Sequence, residues 1–380
     1  MKPGSDFASN AWVLQAEDLV RHYAARTQPG RGAATVRALR GVSLRVPPAH
    51  VLAVVGESGC GKSTLARLLS FADAPDSGAL RLRGAAIDPR RRDDLRRARA
   101  AVQMLFQNAR GSLNPRHRVW RALEEPLRIH TRLDAAERGQ RVLDMLQRVG
   151  LQAEHGRRYP HMLSGGQGQR VAIARALMLE PAVVVADEPA SALDVSVQAQ
   201  VLNLLLDLRR DLGLALVFIS HDLAVVRHVA DSLAVMYAGR VVESGGREPV
   251  LGRPLHPYTR ALLAATPKLD AASAGPVLRG EPPSPLAPPT GCAFHPRCPH
   301  AQQCCRDEQP ALRELLGRDV ACHRAELIAE LDASTSTPTP GSACRDACAD
   351  GASPSSGTSW SAHGIAPPAC PSTDSTASTD

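Results

Sequence analysis

Short apolar runs and longer stretches with helical spacing alternate along most of this 380-residue chain. Residues 51–55, 182–186 and 214–219 are strand-sized runs of almost purely apolar residues, as in the buried strands of a parallel sheet. Residues 119–129 and 135–149 instead repeat apolar side chains every three or four positions, which predicts amphipathic helices. Strands that alternate with helices predict an α/β fold around a parallel sheet.

The first hundred residues add a second pattern, in which apolar and polar residues alternate. Residues 14–23, 36–46 and 79–83 are predicted strands, and we expect them to form an antiparallel layer beside the main sheet. Residues 95–180 are mostly helical in pattern, with one strand at 102–106. The second long helix has an apolar stripe that we expect in the core, formed by Val142, Met145, Leu146 and Val149.

The first buried strand leads into a glycine-rich loop that is followed by a helical pattern, and the loop matches G-x-x-x-x-G-K-[ST]. Its glycines allow the backbone amides to turn inward and bind phosphate oxygens at the positive end of the helix dipole. Its lysine would contact the β- and γ-phosphates, and its serine hydroxyl would bind Mg²⁺. We expect Glu57, Ser58 and Cys60 to contribute backbone atoms only. Strand, loop and helix together predict the core of a P-loop NTPase. Its phosphate-binding loop would consist of Gly56, Glu57, Ser58, Gly59, Cys60, Gly61, Lys62, Ser63 and Thr64.

The lysine of this loop stands out against the composition of the chain. Only Lys2, Lys62 and Lys268 are lysines among 45 basic residues. A compact ammonium group fits a narrow phosphate pocket in which a guanidinium group would not. Lysine at position 62 therefore favours a nucleotide site over a chance match.

Two strand ends carry further candidate chemistry. The run at 182–186 leads into Asp187 and Glu188, which suit a Mg²⁺ ligand and a group that polarises the attacking water, respectively. The run at 214–219 leads to His221, at the carboxyl edge of the predicted parallel sheet, where ligands bind. We therefore interpret His221 as a sensor of the γ-phosphate.

A second candidate anion site lies between the loop and the acidic strand end. Ser164 is a predicted helix N-cap, and the two glycines after it leave backbone amides exposed at the start of a helix. This short motif is weak by itself, and its position between the other motifs strengthens it. Its residues are Ser164, Gly165, Gly166 and Gln167.

Composition narrows the class of protein further. The net charge is +7 and only 3% of residues are aromatic, so the arginine-rich stretch at 90–99 is predicted to be a solvated helix face rather than a nucleic-acid site. Contact with anionic lipid headgroups is the alternative for this stretch. No apolar run approaches the length of a membrane span, and residues 1–13 lack the features of a signal peptide. We therefore expect the chain in the cytoplasm.

Taken in order, these motifs resemble those of the ATP-binding subunits of ABC transporters. The order is the phosphate loop, Gln107, the sequence LSGGQ at 163–167, the acidic pair and His221. The resemblance implies that Tyr23 stacks on adenine and that the LSGGQ signature closes on the nucleotide of a partner subunit. It implies catalytic roles for Lys62, Gln107, Glu188 and His221. The Mg²⁺ ligands that it implies are Ser63, Gln107 and Asp187.

A narrower resemblance is to the ATPases of dipeptide and oligopeptide importers, and among them to the second ATPase subunit of the dipeptide type. It extends over about residues 12–327 and is carried by motifs at 111–116, 159–162, 191–196, 256–259 and 283–286. The chain departs from the family at Gly168, where a basic residue is usual. A glycine early in a helix is expected to loosen it.

The resemblance implies a function and a set of partners. ATP hydrolysis with Mg²⁺ would drive import of di- or oligopeptides at the cytoplasmic face of the inner membrane, where the chain would be peripheral. The partners would be a second ABC ATPase subunit in a heterodimer, two transmembrane permease subunits and, indirectly, an extracytoplasmic peptide-binding protein, without nucleic acid. The groove for a permease coupling helix would be formed by residues 107–120. The alternatives are import of a nickel chelate or glutathione, a soluble ABC ATPase without a transport role, and a regulator without turnover.

The nine cysteines are an odd number, which argues against a disulfide framework. Four of them have short spacings that suit a tetrahedral metal such as zinc or an iron–sulfur cluster, and unliganded thiols are the alternative. The family resemblance favours a [4Fe–4S] cluster, without Cys304 as a ligand. The expected ligands are Cys292, Cys298, Cys305 and Cys322, and the expected free thiols are Cys344, Cys348 and Cys370.

The sequence predicts three regions. Residues 12–250 would form the nucleotide-binding domain, with a helical subdomain at about 107–180. Residues 251–330 would form a small extension that carries the cysteines, reached through a connector rich in proline and glycine at 245–290. Residues 331–380 have a low-complexity composition with few aliphatic residues, which predicts a disordered tail.

Overall fold

A computed structural model describes most of the chain. Residues 26–33, residues 266–279 of the predicted connector and residues 336–380 of the predicted tail lie outside the described residues, and so do the expected free thiols Cys344, Cys348 and Cys370. The described ranges are 12–25, 34–108, 111–191, 193–265 and 280–335.

Twelve strands lie in the described residues and form two sheets. In chain order they are β1 Leu14–Ala25, β2 Ala34–Val46, β3 Val51–Val55, β4 Ser77–Leu82, β5 Ala85–Ala86, β6 Val102–Leu105, β7 Val183–Asp187, β8 Ala215–Ile219, β9 Ser232–Tyr237, β10 Arg240–Gly246, β11 Arg313–Leu315 and β12 Arg318–Val320.

The main sheet has eight strands in the order β11-β12-β10-β9-β3-β8-β7-β6. The five strands from β9 to β6 are parallel, and the remaining pairs are antiparallel. Every residue of β3, β7 and β8 is buried, because helices or strands cover both faces. The three apolar runs therefore correctly predicted the parallel centre of an α/β fold.

Successive residues of β3 point into two different cores. Val51, Ala53 and Val55 pack in the core that contains the long helices, whereas Leu52 and Val54 pack in the core on the opposite face. This alternation is the strand period of two. A strand that is apolar at every position is thus required at the centre of this molecule.

The second sheet is antiparallel and has the order β2-β1-β4-β5. Strand β1 pairs with β2 from Leu14 opposite Val46 to Ala25 opposite Ala34, with three register shifts. Apolar residues of this sheet share the core of Leu52 and Val54. The predicted antiparallel layer is therefore confirmed.

Eleven α-helices and three short 3₁₀ turns complete the described structure. The helices are α1 Lys62–Leu69, α2 Arg92–Ala101, α3 Val119–His130, α4 Ala135–Arg148, α5 Gly165–Leu177, α6 Val195–Leu212, α7 Leu223–Val229, α8 Arg247–Gly252, α9 Pro257–Ala264, α10 Gln303–Asp307 and α11 Ala325–Thr335. The 3₁₀ turns are Ala153–Arg157, Pro160–Met162 and His295–Arg297.

Helices α3, α4 and α5 are inserted between the edge strand β6 and β7. The predicted stripe of α4 is buried against them, as expected for core packing. The arginines of α2 are exposed, in agreement with a solvated helix face. Within the described residues, none of the helices combines the length and apolar character needed to cross a bilayer.

The chain after residue 246 is more ordered than the sequence suggested. The prediction of a connector at 245–290 was wrong for residues 247–264, which form α8 and α9. Strand β12 then pairs with β10, with Val320 opposite Glu243, so the extension continues the main sheet. The prolines and glycines of this segment led to the wrong prediction. Pro257 is compatible with a helix because it occupies the first turn of α9, where a residue needs no backbone N–H.

Candidate active site

An open cleft of about 740 Å³ lies at the carboxyl ends of β3, β6, β7 and β8. This is the edge at which parallel α/β sheets bind ligands, and the volume is in the usual range for a ligand pocket. The cleft is lined by Tyr23, Val36, Ala38, Ser58, Gly59, Gly61, Lys62, Ser63, Thr64, Gln107, Glu188, His221 and Pro285. The fold thus brings together residues that the sequence predicted separately.

The phosphate-binding loop needs glycine at its two ends. Gly56 and Gly61 have φ angles of 155° and 106°, which side chains disfavour. A Cβ atom at Gly56 would lie 2.3 Å from the Met236 carbonyl oxygen, and one at Gly61 would lie 2.5 Å from the Ala38 carbonyl oxygen. The loop is therefore wedged against two strands that fix its shape.

Lys62 and helix α1 supply the positive charge of the cleft. The Nζ atom of Lys62 donates to the carbonyl oxygens of Gly56, at 2.7 Å, and Glu57, at 2.9 Å. Helix α1 starts at this lysine, and its N-cap Gly61 has no side chain to occupy the first amides. Free amides at a helix N-terminus beside an ammonium group make a site for phosphate.

Asp187 and Ser63 provide neighbouring oxygen atoms that suit Mg²⁺. Burial raises the pKa of the Asp187 carboxyl, the hydrogen bond from Ser63 lowers it, and the charge of Glu188 raises it further. A hydroxyl and a carboxylate in contact are the kind of hard oxygen donors that Mg²⁺ binds next to phosphates. Gln107, the third expected ligand, is instead hydrogen-bonded to Glu188.

Glu188 is held by side chains from two other strand ends. Its Oε2 atom accepts from Gln107 Nε2 at 2.8 Å, and its Oε1 atom lies 2.9 Å from His221 Nδ1. Its φ angle is 48°, a conformation that costs a residue with a side chain about 1–3 kcal/mol. The backbone is fixed there because the Glu188 N–H donates to the Ile219 carbonyl at 3.0 Å. This arrangement can orient and polarise a water molecule.

Tyr23 lines the cleft from the antiparallel sheet, and its ring is fixed. Its hydroxyl donates to Asp73 Oδ2 at 3.1 Å, and the Arg21 guanidinium lies 4.9 Å from the ring centroid. A fixed aromatic ring at the cleft suits the stacking of a base. The adenine contact of Tyr23 stays a prediction.

The residues of the LSGGQ signature, 163–167, do not line the cleft. Ser164 caps α5, as predicted: its Oγ accepts from the Gln167 N–H at 3.3 Å, and the Gln167 side chain accepts from the Ser164 N–H at 3.1 Å. A Cβ atom at Gly166 would lie 2.8 Å from Val197 Cγ1. Gly168 keeps a regular helical hydrogen bond to Ser164 at 2.9 Å. Among the described residues that line the cleft, none belongs to this motif.

Three residues in or next to the phosphate-binding loop have side-chain contacts that the sequence did not predict. The Glu57 carboxylate, from which only backbone contributions were expected, forms a two-pronged ion pair with Arg297, at 2.8 and 3.0 Å. The Glu57 N–H donates to the Tyr258 hydroxyl at 2.8 Å. Tyr258 belongs to the motif at 256–259, which indicates the importer family but no site, and Arg297 lies 240 positions from its partner, beyond the reach of local patterns.

The thiols of the extension influence one another but do not form a ligand set. Burial is the main cause that raises the pKa of Cys298 to about 11 and of Cys322 to about 12, and the neighbouring thiols add to both shifts. Cys292 has its pKa raised for the same reasons. In the described part of the chain, no group of three or more His, Cys, Asp or Glu residues is placed to hold a metal ion.

Phosphate-binding amides, a lysine and a glutamate clamped by glutamine and histidine, all at one edge of a parallel sheet, define a P-loop nucleotide hydrolase. The comparisons narrow this class. Residues 39–191 match the model of the ABC transporter family, and residues 242–305 match that of the oligopeptide/dipeptide transporter C-terminal region. The LSGGQ sequence lies within the first match. The predicted connector and the cysteines from Cys292 to Cys305 lie within the second match.

Two relatives cover most of the chain. It is 55% identical to the di/tripeptide transport ATP-binding protein DppF of Pseudomonas aeruginosa strain UCBPP-PA14 over 316 residues, which are 83% of this chain and 98% of that protein. It is 52% identical to the dipeptide transport ATP-binding protein DppF of Escherichia coli K12 over 315 residues, 82% of this chain and 93% of that one. The chain belongs to the family of ABC transporter ATP-binding proteins and is an ATPase of the ABC type.

Solved structures agree with this assignment. A dimeric ATP-binding cassette in a post-hydrolysis state with ADP and Pi is 27% identical, with a TM-score of 0.55, and the match covers 62% of this chain and 98% of the cassette. The cbiO1 protein of Clostridium perfringens, part of the ABC transporter complex cbiONQ, is 28% identical with a TM-score of 0.55, over 64% of this chain and 91% of that one. The predicted P-loop NTPase fold and the family resemblance are thus confirmed.

Proposed function

We propose that this chain is the ATP-hydrolysing subunit of an importer of di- and oligopeptides. The observation that carries the proposal is the 55% identity, along nearly the whole of the relative, to a di/tripeptide transport ATP-binding protein. The match at 242–305 to the oligopeptide/dipeptide transporter C-terminal region supports the same substrate class. These matches do not favour import of a nickel chelate or glutathione, or a soluble ABC ATPase.

The chemistry follows from the cleft. Loop amides and Lys62 bind the triphosphate. Ser63 and Asp187 would provide oxygen ligands for Mg²⁺, which would offset the charge on the phosphates. Glu188 holds the attacking water in line and accepts its hydrogen bond, while His221 keeps this carboxylate in place. Gln107 would leave Glu188 to reach the Mg²⁺ site when nucleotide binds.

The proposed partners follow from the position of the LSGGQ signature relative to the cleft. The signature starting at Ser164 does not line the cleft of this chain, which supports closure on the nucleotide of a second ABC ATPase subunit, in a heterodimer. Two permease subunits and an extracytoplasmic peptide-binding protein complete the proposed importer, with this chain peripheral at the cytoplasmic face of the inner membrane. No nucleic acid takes part in this proposal.

A groove beside the cleft supports a permease contact. It borders the predicted segment 107–120 at Phe106, although none of the described residues of that segment lines it. It has a volume of about 360 Å³ and includes Phe106 and Ile129, whose exposed fractions are 43% and 56%. Exposed large apolar side chains are typical of interaction surfaces. A short amphipathic helix from a permease subunit would bury both.

We further propose the three predicted regions, 12–250 with a helical subdomain at 107–180, 251–330 and 331–380. The family match that begins at residue 242 supports a separate extension, although β12 joins its strands to the main sheet. Limited proteolysis of the full chain tests the boundaries. Early cleavage beyond residue 330 and late cleavage inside 280–330 is the expected order, and the reverse order would contradict it.

We also propose that Cys292, Cys298, Cys305 and Cys322 hold an iron–sulfur cluster. The support for this proposal is chemical. Burial and the neighbouring thiols raise the pKa values of three of these cysteines. A cation that replaces their protons would therefore offset the cost of ionising them. The thiols would have to move closer together than they lie in the described structure. A bound cluster would cross-link the extension.

Iron and acid-labile sulfide in protein purified without oxygen test this proposal. We expect about four iron atoms per chain, loss of iron in Cys298→Ser and retention in Cys304→Ser, since Cys304 is exposed and outside the proposed set. Wild-type protein without iron and sulfide would contradict it.

Reconstitution tests the transport function. The chain, its partner ATPase and the permeases are placed in liposomes with the cognate binding protein, and uptake of labelled dipeptide is measured with and without MgATP. We expect MgATP-dependent uptake of dipeptides and tripeptides. Uptake of a nickel chelate or glutathione in place of peptide would contradict the proposed substrate class.

A further inference from the structure

We propose that Arg297, in the extension, is a positioning residue for nucleotide binding that acts through Glu57. By neutralising and holding this carboxylate, it lets the phosphate-binding loop accept a triphosphate. The inference rests on the proposed function and adds to it a dependence of ATP affinity on the extension.

The contact is specific in its geometry. Arg297 Nη1 lies 2.8 Å from Glu57 Oε2, and Nη2 lies 3.0 Å from Oε1. The exposed fractions of the two side chains are 6% and 22%. A two-pronged arginine–carboxylate pair that is largely withdrawn from water fixes the orientation of both groups. It therefore differs from the exposed ion pairs that contribute little.

Every polar group of Glu57 is occupied. Its N–H donates to the Tyr258 hydroxyl at 2.8 Å, and its carbonyl oxygen accepts from Lys62 Nζ at 2.9 Å. Its carboxylate is bound by Arg297. The second residue of the loop is thus fixed on one side by the extension and on the other by the lysine that is expected to contact phosphate.

An aromatic cluster holds Arg297 in place. Its guanidinium carbon lies 5.9 Å from the ring centroids of both Tyr237 and Phe294, and Nη1 donates to the Tyr237 hydroxyl at 3.2 Å. Tyr237 and Tyr258 pack with centroids 4.5 Å apart, and both lie against Phe294. Strand β9, helix α9 and the cysteine-bearing segment therefore position one guanidinium group together.

A second contact brings the extension to the same cleft. The Arg37 N–H donates to the Pro285 carbonyl oxygen at 2.9 Å, and Pro285 lines the cleft. The extension thus reaches both the start of the phosphate loop and the cleft wall. The nucleotide site of this chain is built partly from residues that follow position 280.

The negative charges of Glu57 and of the nucleotide determine how loss of Arg297 should change nucleotide affinity. Without Arg297, the Glu57 carboxylate would be left uncompensated beside a loop that binds a polyanion. Its repulsion would weaken binding of ATP more than of ADP, because ATP carries one more negative charge. Glu57→Gln in the same chain removes the unpaired charge, so the double variant should recover.

The test measures Kd values of the full-length chain for MgATP and MgADP by calorimetry. We expect Arg297→Gln to raise the Kd for MgATP about tenfold and that for MgADP less, and Arg297→Gln with Glu57→Gln to return within about threefold of wild type. Arg297→Lys, which keeps the charge without the two-pronged geometry, should lie between. If Arg297→Gln does not fold, Arg297→Lys still tests whether the two-pronged geometry matters for MgATP binding.

A matched control separates positioning from general stability of the extension. Arg313 forms a two-pronged pair with Glu326 in the extension, away from the loop, and Arg313→Gln should leave both Kd values unchanged. Unchanged MgATP affinity in folded Arg297 variants, no recovery in the double variant, or an equal effect of Arg313→Gln overturns the inference alone. Wild-type chain that binds no MgATP overturns the proposed function and this inference with it.

Discussion

His221 Nδ1 lies 2.9 Å from Glu188 Oε1, and this contact joins the ends of β8 and β7 in the cleft. Gln107 binds the other carboxylate oxygen at 2.8 Å. The carboxylate is thus fixed from two sides by side chains of this chain. The arrangement assigns the orientation of water to Glu188 and, once Gln107 moves to the Mg²⁺ site, the orientation of Glu188 to His221.

Replacement of His221 by alanine should uncouple binding from hydrolysis. The Glu188 carboxylate would lose one of its two side-chain contacts, so we expect kcat to fall by about 10²–10³-fold with the Kd for MgATP nearly unchanged. Phosphate release by the reconstituted complex measures the effect. His228→Ala, at an exposed histidine of α7, is the control and should match wild type. Equal losses in both variants would contradict the role of His221.

Replacement of Gly61 by alanine should abolish nucleotide binding. The residue combines a φ angle of 106° with a Cβ position 2.5 Å from the Ala38 carbonyl oxygen, so the loop or β2 must move. We expect a stability loss of about 1–3 kcal/mol and no measurable MgATP binding by calorimetry. Gly252→Ala is the control, since a Cβ atom there meets nothing within 4 Å. Normal affinity in folded Gly61→Ala would refute the account of the loop.

Replacement of Ser164 by alanine separates the two halves of the proposed composite site. The helix loses its N-cap, at a cost of about 1 kcal/mol, while the chain's own cleft is untouched. MgATP binding by the single chain should stay normal, and ATPase activity of the assembled importer should fall. Asp134→Ala removes the same kind of capping box from α4 and should cost similar stability without loss of activity. Weak MgATP binding by Ser164→Ala chains would contradict a signature that serves the partner.

The buried His256 should make the fold sensitive to acid. Burial lowers its pKa to about 3, and its Nδ1 atom accepts from the Tyr258 N–H at 3.0 Å, which requires the unprotonated ring. The unfolded chain, with a pKa near 6.5, binds a proton that the folded chain does not, so this residue's contribution to stability falls as the pH drops from about 6.5 towards 3.

Urea unfolding between pH 7 and pH 4 tests this effect. Wild type should lose up to about 1.4 kcal/mol of unfolding free energy per pH unit from this histidine. His256→Asn, whose side chain can still cap α9, should show a shallower slope. Equal slopes in the two proteins would show that the histidine does not titrate in this way.

The parts of the site that were predictable from the sequence are those encoded locally. Val51–Val55 is apolar at every position because it faces two cores, and the loop after it needs particular residues at adjacent positions. Asp187, Glu188 and His221 each lie at or just after the end of a buried strand, so the geometry of a parallel sheet brings them to one edge.

The parts that escaped prediction depend on contacts between distant segments. Arg297 meets Glu57 across 240 positions, and no spacing rule links an arginine among cysteines to a phosphate loop. Strand β12 has three residues, too few for a periodic pattern, and is a strand because β10 offers it an edge. The hydrogen bond from the Tyr258 N–H to the His256 ring can be recognised only after Tyr258 is placed in the core. Tertiary context decides all three.

Glu188→Gln tests the central claim most directly. In the assembled complex this variant keeps the size of the side chain but lowers its ability to accept a proton, so MgATP should bind as in wild type and remain uncleaved. We expect steady-state phosphate release to fall by about 10²–10⁴-fold, with ATP retained in the complex after gel filtration. Hydrolysis at the wild-type rate would contradict the account, because it would remove Glu188 from the reaction.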